Sequence, residues 1–371
     1  MTAVDVHILQ TVPPSNINRD DTGSPKTAFY GGTRRARVSS QAWKRATRKA
    51  FTGVVETNDL GVRTKQVIEL IGDEIRRTSE TSNQEEANAL AQKVLDAAGI
   101  KLAAPRRKKT EADAAPESGY LMFLARHQIE NLAALALSSN GIVDKKAAKT
   151  AISSENSVDV AAFGRMVADD AELNVDASVQ VAHAISVHKV DNEFDYFTAV
   201  DDRKSDADET GAGMIGTVEF NSSTLYRYAT VNLEGLRANL GSDAAAGRAL
   251  RVFLEAFITS MPTGKQNTFA NRTLPDAVVV QVRRTQPINL VGAFEEAVVA
   301  DGGRSRLAVA AQRLVTHAQR IDNAYGTTPD ASFVISANAA TSTVEDLGEV
   351  VNLGQLLDRV VDTVAIQQEP A

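Results

Sequence analysis

Residues 3–12 (AVDVHILQTV) alternate loosely between apolar and polar positions and predict a first strand. The next stretch, 13–33, breaks that pattern with Pro13, Pro14, Gly23, Pro25, Gly31 and Gly32, the punctuation of a long loop. Long loops in compact domains usually carry function or lack fixed structure. Residues 34–38 (RRARV) read as a short extended segment. Ser39 or Ser40 then offers an N-cap for a helix through QAWKRATRKAF.

From residue 60 to 180 the period changes. Leu60 to Arg76, Glu85 to Ala98, Leu121 to Leu137 and Asp144 to Ile152 repeat apolar positions at helical spacing. The polar, Pro-flanked LAAPRRKKTEADAAPESG between them predicts an exposed loop. Residues 177–189 are more extended and β-rich. Within 190–222, FDYFTAV and MIGTVEF flank an acidic, Gly-containing tip, which is the signature of a long hairpin. LYRYATVNL (225–233) predicts a strand, 244–260 a helix and DAVVVQVRR (276–284) a strand. Val291 to Ala300, Arg306 to Asn323 and Val344 to Val360 predict the last helices.

With the helical block and the hairpin set aside, the order is strand, helix, strand, strand, helix, strand. That is the split-βαβ arrangement. The expected fold class is α+β: an RRM-like (ferredoxin-like) core with an inserted helical lobe and a long β-hairpin. Residues 1–58 begin the core, 59–180 form the insertion, 181–190 return to the core, 191–223 form the hairpin, and 224–371 complete the core with C-terminal helices. Many unrelated proteins share such a core, and no intact aromatic RNP signature is present.

Composition narrows the chemistry. The chain contains no cysteine, which excludes disulfides, thiol catalysis and cysteine-ligated metals. No apolar run reaches the roughly 18 residues of a membrane span. The opening MTAVDVHILQ lacks the features of a secretory signal, so the expected location is cytoplasmic. The net charge of −7 argues, taken alone, against a nucleic-acid partner. Its distribution argues otherwise: residues 1–50 carry nine Lys/Arg against three acids. Such asymmetry points to a polyanion.

Arg34 to Lys49 holds seven basic residues and no acid. On a helix, Lys44 and Arg48 are four apart, as are Arg45 and Lys49. Two adjacent cationic rows repel unless an anion lies across them, and a helix N-terminus adds free N–H groups. Sequence-independent strand binding also uses apolar or aromatic platforms. Tyr196, Phe197, Met166 and Met214 with Ile215 are candidates, although each residue type more often serves a core. Lys265 and Gln266, in a loop after Pro262, suit phosphate and sugar. The loop lacks the spacing of a Walker motif. His7, His127, His183, His188 and His317 lack ligand spacing and read as structural, so no metal and no cofactor is expected. Asp20 and Asp21 offer either turn stabilisation with Arg19 or a metal-dependent ribonuclease site.

These residues carry a resemblance. N-R-D-D at 18–21, F-Y-G-G-x-R-R-x-R-V-S-S-Q at 29–41 and K-R-A-x-R-K at 44–49 resemble the backbone subunit of the type I-E CRISPR Cascade complex, the CasC family. G-R-M at 164–166, A-H-A-I-x-x-H-x-V-D at 182–191 and F-T-A-V-D-D at 197–202 continue it. So do Y-R-Y-A at 226–229, G-K-Q at 264–266 and A-F-E-x-A-V at 293–298.

The resemblance implies a right-hand shape with an RRM-like palm, helical fingers and a hairpin thumb, stacked head to tail as a hexameric backbone on guide RNA. It implies a non-catalytic role in antiviral defence, with the guide presented to target DNA in an R-loop. Large, small, guide-processing and end-capping subunits are the implied partners. Arg19, Arg34, Arg35, Ser39, Gln41, Lys44, Arg45, Arg48, Lys265 and Gln266 would hold guide phosphates. Met166 would wedge at a displaced nucleotide near Tyr196 and Phe197. Lys145, Lys146 and Lys149 would touch DNA.

Overall fold

A computed structural model describes residues 1–79, 83–104, 115–139, 142–199 and 214–366. Most of the polar stretch after Ala104 and the acidic hairpin tip lie outside the described residues, as do the side chains of Met214 and Ile215. The chain is mixed α/β and divides into two compact units. One comprises 1–50, 181–231 and 250–371; the other comprises 51–180 and 232–249. The sequence boundaries assign 232–249 to the core, whereas the structure groups it with the helical unit.

The first unit is organised by a large sheet. Its strand order is Glu349–Val350, Ala331–Ser336, Ala277–Arg283, Ala3–Ser15, Met214–Asn232, Ala184–Ser186, Thr33–Val38 and Thr27–Tyr30. Ala3–Ser15 pairs antiparallel with Ala277–Arg283, with Val6 opposite Val280. Both strands are buried along nearly their whole length, polar positions such as Asp5, His7 and Gln10 included, so they occupy the middle of the sheet. The hairpin arms Glu193–Ala199 and Met214–Asn232 pair antiparallel, with Tyr196 opposite Thr217. The second arm runs on without interruption for 19 residues into the sheet.

The helix Arg306–Tyr325 packs Ala311, Leu314, Val315 and Ala318 against Leu9, Val279 and Val334. Two expectations fail nearby. Val291 to Ala300 forms a 3₁₀ turn, Leu290–Phe294, followed by irregular chain. Tertiary bonds replace the helical ones there: the Phe294 and Glu295 carbonyls accept from the Arg35 guanidinium, and Val298 N–H donates to Val187. Toward the end of the chain, Val344 to Val360 is split between a 3₁₀ segment, Ala339–Leu347, and the helix Leu353–Ile366.

The second unit is mainly helical. Val67–Thr78, Gln84–Ala98, Arg126–Ser138 and Lys145–Ser153 converge on Ile71, Val94, Leu95, Ile129, Leu132 and Ile152. Asn83 and Glu86 form a capping box that starts the second of these helices, and Gly99 closes it in the left-handed region. The apolar runs before two helices are strands instead: Gly61–Thr64 pairs with Met122–Ala125. Short apolar runs do not distinguish strand from helix by period alone. Among the described residues no helix is long and apolar enough to cross a membrane.

Candidate nucleic-acid interface

The basic helix occupies Ser40–Phe51. Ser39 begins it: its hydroxyl accepts from Ala42 N–H at 3.3 Å, and its own N–H donates to Asn18 Oδ1 at 2.8 Å. The inner face buries Trp43 and Thr47. Arg45 and Lys49, four apart, face outward and are exposed. Gln41 is exposed on the first turn, whereas Lys44 and Arg48 are half-buried. Burial pulls the Lys44 ammonium below its ordinary pKa.

A second wall is the loop from Met261 to Thr273. Lys265 and Ala270 flank the short helix Gln266–Phe269, and both have positive φ, 48° and 47°. Non-glycine residues held there cost of order 1–3 kcal/mol each and persist only where their surroundings fix them. Gly264 shows part of that fixation: a Cβ at this position would lie 2.3 Å from the Ile17 carbonyl oxygen.

The third wall is the turn around residues 16–24. Asn16 is buried and its amide donates to the Gly23 and Glu219 carbonyls, both at 2.9 Å. Asp20 Oδ1 accepts from Thr22 N–H at 3.0 Å, Thr22 Oγ1 at 2.7 Å and Ser24 N–H at 3.0 Å. The Thr22 hydroxyl and these backbone bonds hold the Asp20 carboxyl below its usual range. Asp20 therefore organises the turn, as one of the two sequence readings has it.

These walls enclose a cavity of about 850 Å³. Arg19, Arg45, Lys49, Lys265 and Arg272 line it against two carboxylates, Asp20 and Asp21, with Gln266, Asn18, Thr263 and Asn271 as neutral polar groups. Among the described residues no aromatic side chain lines it, so its chemistry suits phosphate and sugar rather than a base. The structure thus brings Arg19, Arg45, Lys265 and Gln266 together from segments far apart in sequence. Sequence reading missed Arg272 and Asn18. A lone arginine in a polar loop carries no local signal.

Other candidates lie elsewhere. Arg34 is exposed, with its guanidinium 5.8 Å from the Phe29 ring centre. Arg35 corrects an expectation, since it is 0% exposed. It donates to Thr33 Oγ1 at 2.9 Å and to the Ser186, Phe294 and Glu295 carbonyls at 3.0, 3.0 and 2.9 Å. Its guanidinium is committed to the interior and is not presented to a phosphate.

On the hairpin, Tyr196 is 63% exposed. Phe194, two residues earlier and so on the same strand face, is also exposed; the sequence reading did not single it out. Phe197 alternates to the other face and covers Gly216, where a Cβ would lie 2.4 Å from its ring.

In the helical unit, Met166 is 78% exposed. The preceding residue, Arg165, is buried and donates to Leu173 O at 2.8 Å, Gln128 Oε1 at 3.0 Å and Ile152 O at 3.1 Å. Burial lowers its pKa to about 10, so it stays cationic at neutral pH. Lys145, Lys146 and Lys149 border a second cavity, of about 460 Å³. Asp144 accepts Ala147 N–H at 2.9 Å to start their helix. Lys149 bonds Glu172 at 2.6 Å and also Asp170, and these carboxylates raise its pKa. Among the described residues no group of three or more His, Cys, Asp or Glu could hold a metal ion.

Together these features define a mixed α/β protein with an open groove lined by cationic side chains. The chain belongs to the CT1975-like protein family, whose model matches residues 4–359. Two solved structures are similar over nearly the whole chain. One, a CRISPR RNA-guided surveillance complex in a pre-nicking state, contains a chain 36% identical with a TM-score of 0.86, covering 97% of this chain and 99% of that one. Another CRISPR RNA-guided surveillance complex contains a chain 32% identical with a TM-score of 0.76, over the same shares. No curated protein matches the sequence.

Proposed function

We propose that this chain binds CRISPR guide RNA along its backbone, without base specificity and without cutting it, as the repeated subunit of a type I-E Cascade complex in the cytoplasm. The observation that carries the reading is the groove, which among the described residues has five cationic side chains from three segments and no aromatic wall. Contacts of that kind fix a strand's path while leaving base edges free. Base pairing, not protein, then reads the target DNA. The similarity to chains of RNA-guided surveillance complexes supports the same role.

The finer parts of the proposal have their own supports. The first strand lies between Ala277–Arg283 and Met214–Asn232, with Ala184–Ser186 beyond, which suits an RRM-like palm. Exposed Tyr196 on the hairpin suits stacking with a base, and exposed Met166 on the helical unit suits a wedge at a displaced nucleotide. Exposed Lys145 and Lys146 suit target DNA. Successive copies stack head to tail, and the other Cascade subunits limit their number.

The test is binding of unrelated single-stranded RNAs over about 50–300 mM salt. Wild type is expected to bind them alike, with log affinity falling as log salt rises. Arg45→Ala/Lys265→Ala/Arg272→Ala should flatten that slope by about 0.7 per lost contact. No salt-dependent binding, even with partner subunits present, would reject the reading.

A second reading, with Asp20 or Asp21 as the metal-holding carboxylate, is favoured by one observation: both line the same groove, and Asp21 stands outside the Thr22 and Ser24 bonds that engage Asp20. It makes the chain a metal-dependent ribonuclease. Incubation of bound RNA with Mg²⁺ or Mn²⁺ separates the two, because only that reading predicts cleavage that Asp21→Ala abolishes.

A further inference from the structure

We propose that Arg227, buried beside the groove, is a positioning residue for the bound strand. It ties the helix that carries Arg45 to the loop that carries Lys265 and Arg272, so that the two cationic walls keep one spacing. The inference rests on the RNA-binding reading and adds to it a residue that touches no ligand.

Arg227 sits in the continuous strand Met214–Asn232 and is 1% exposed. Its guanidinium carbon lies 3.8 Å from the Trp43 ring centre and 4.7 Å from that of Phe257. Trp43 is the inner face of the basic helix, two residues before Arg45. Cation–π contact thus seats the helix on the strand. From the same guanidinium, Nη1 donates to Gln10 Oε1 at 2.6 Å, and Nη2 donates to the Phe257 carbonyl.

Gln10 completes the connection. Its amide donates to the carbonyl and hydroxyl of Thr273 at 2.9 and 3.2 Å. Thr273 N–H in turn meets Met261 Sδ at 3.3 Å. Thr273 and Met261 are the two ends of the groove loop, and Arg272 adjoins the first of them. One polar path therefore runs from the helix through Arg227 and Gln10 to both ends of the opposite wall.

Stability alone gives a weak reason for arginine at this place. Among the described residues no carboxylate pairs with it; its partners are an amide and a carbonyl. An unpaired buried cation is costly, and an apolar residue of similar size is often as stable or more so. Burial lowers its pKa to about 9, which leaves it charged at neutral pH. A cation kept there at a cost is accounted for by its connection of the groove's two walls.

The experiment measures salt-dependent RNA affinity and thermal unfolding for wild type, Arg227→Met, Arg227→Lys and Gln10→Leu, each alone and combined with Arg45→Ala and Lys265→Ala. Arg227→Met is expected to weaken binding about tenfold or more and to flatten the salt slope. In its background, Arg45→Ala and Lys265→Ala should each cost less than in wild type. Arg227→Lys, charged but without the planar fork, should resemble Arg227→Met. Gln10→Leu, which keeps the Trp43 contact, should uncouple Lys265 while leaving Arg45 as in wild type, and it decides the matter if Arg227→Met does not fold. Folded Arg227 variants with wild-type affinity and slope, or strictly additive losses, would overturn the inference alone. A wild type that binds no RNA would overturn the RNA reading itself.

Discussion

The backbone N–H of Ser40 donates to Nδ1 of His183 at 3.0 Å, so an imidazole from a distant segment helps to start the groove helix. That bond needs an unprotonated Nδ1. Partial burial, with Arg37 and Lys26 nearby, holds the His183 pKa below its ordinary value. His183→Ala should lower stability by about 1 kcal/mol, the worth of a lost helix-start bond. It should also weaken RNA binding. Chemical denaturation and an RNA titration check the two effects separately.

Stability should fall as pH drops below about 6.5. Burial lowers the pKa of His7, to about 3, and also depresses His188 and His317. A depressed histidine is protonated first in the unfolded chain. The stabilising difference is therefore complete above the unfolded pKa and is lost as pH falls toward the folded one. For His7 the loss is about 1.4 kcal/mol per pH unit. Asp5, whose pKa burial raises, opposes this at the acid end. Urea midpoints from pH 7.5 to 5.5 should decline, and His7→Gln should flatten the decline.

Arg35 and Arg45 should separate cleanly. Arg35→Ala leaves buried carbonyls without their donor and should cost about 2–4 kcal/mol of stability. Arg45→Ala should leave stability within about 0.5 kcal/mol and weaken RNA binding instead. Melting curves and binding isotherms on the same two proteins check this; matching profiles would contradict the placement of both residues.

Gly264→Ala tests the fit between two walls of the groove. The added methyl meets the Ile17 carbonyl, so the loop must move away from the turn that carries Arg19. The expected result is about 1–3 kcal/mol lower stability and weaker RNA binding than Lys265→Ala alone produces.

Much of this was legible in the sequence. The first strand, the hairpin arms and the amphipathic basic helix follow from period and capping. The cationic run at 34–37 was read by charge alone. A strand alternates faces, so Arg34 turns out while Arg35 turns in, and counting charge cannot see that. Arg227 had a readable signal: Leu225 to Ala229 is apolar or aromatic on both faces around a single arginine, which marks a buried strand and hence a buried cation. Arg272 had none, because its role depends on a loop folding back against residues more than two hundred positions earlier. The failed helix at 291–300 is a tertiary override, since Arg35 takes carbonyls that a helix would have used.

The 19-residue strand that forms one arm of the hairpin also lies in the sheet beside Ala3–Ser15, and it carries Arg227. At about 3.3 Å per residue, its 19 unbroken residues reach at most roughly 60 Å. Mechanically it is a cantilever without a hinge. Load applied to the exposed arm cannot be absorbed by a bending loop. It passes along the backbone as shear on the ladder shared with the first strand, and so reaches Arg227 and the Trp43 ring it contacts.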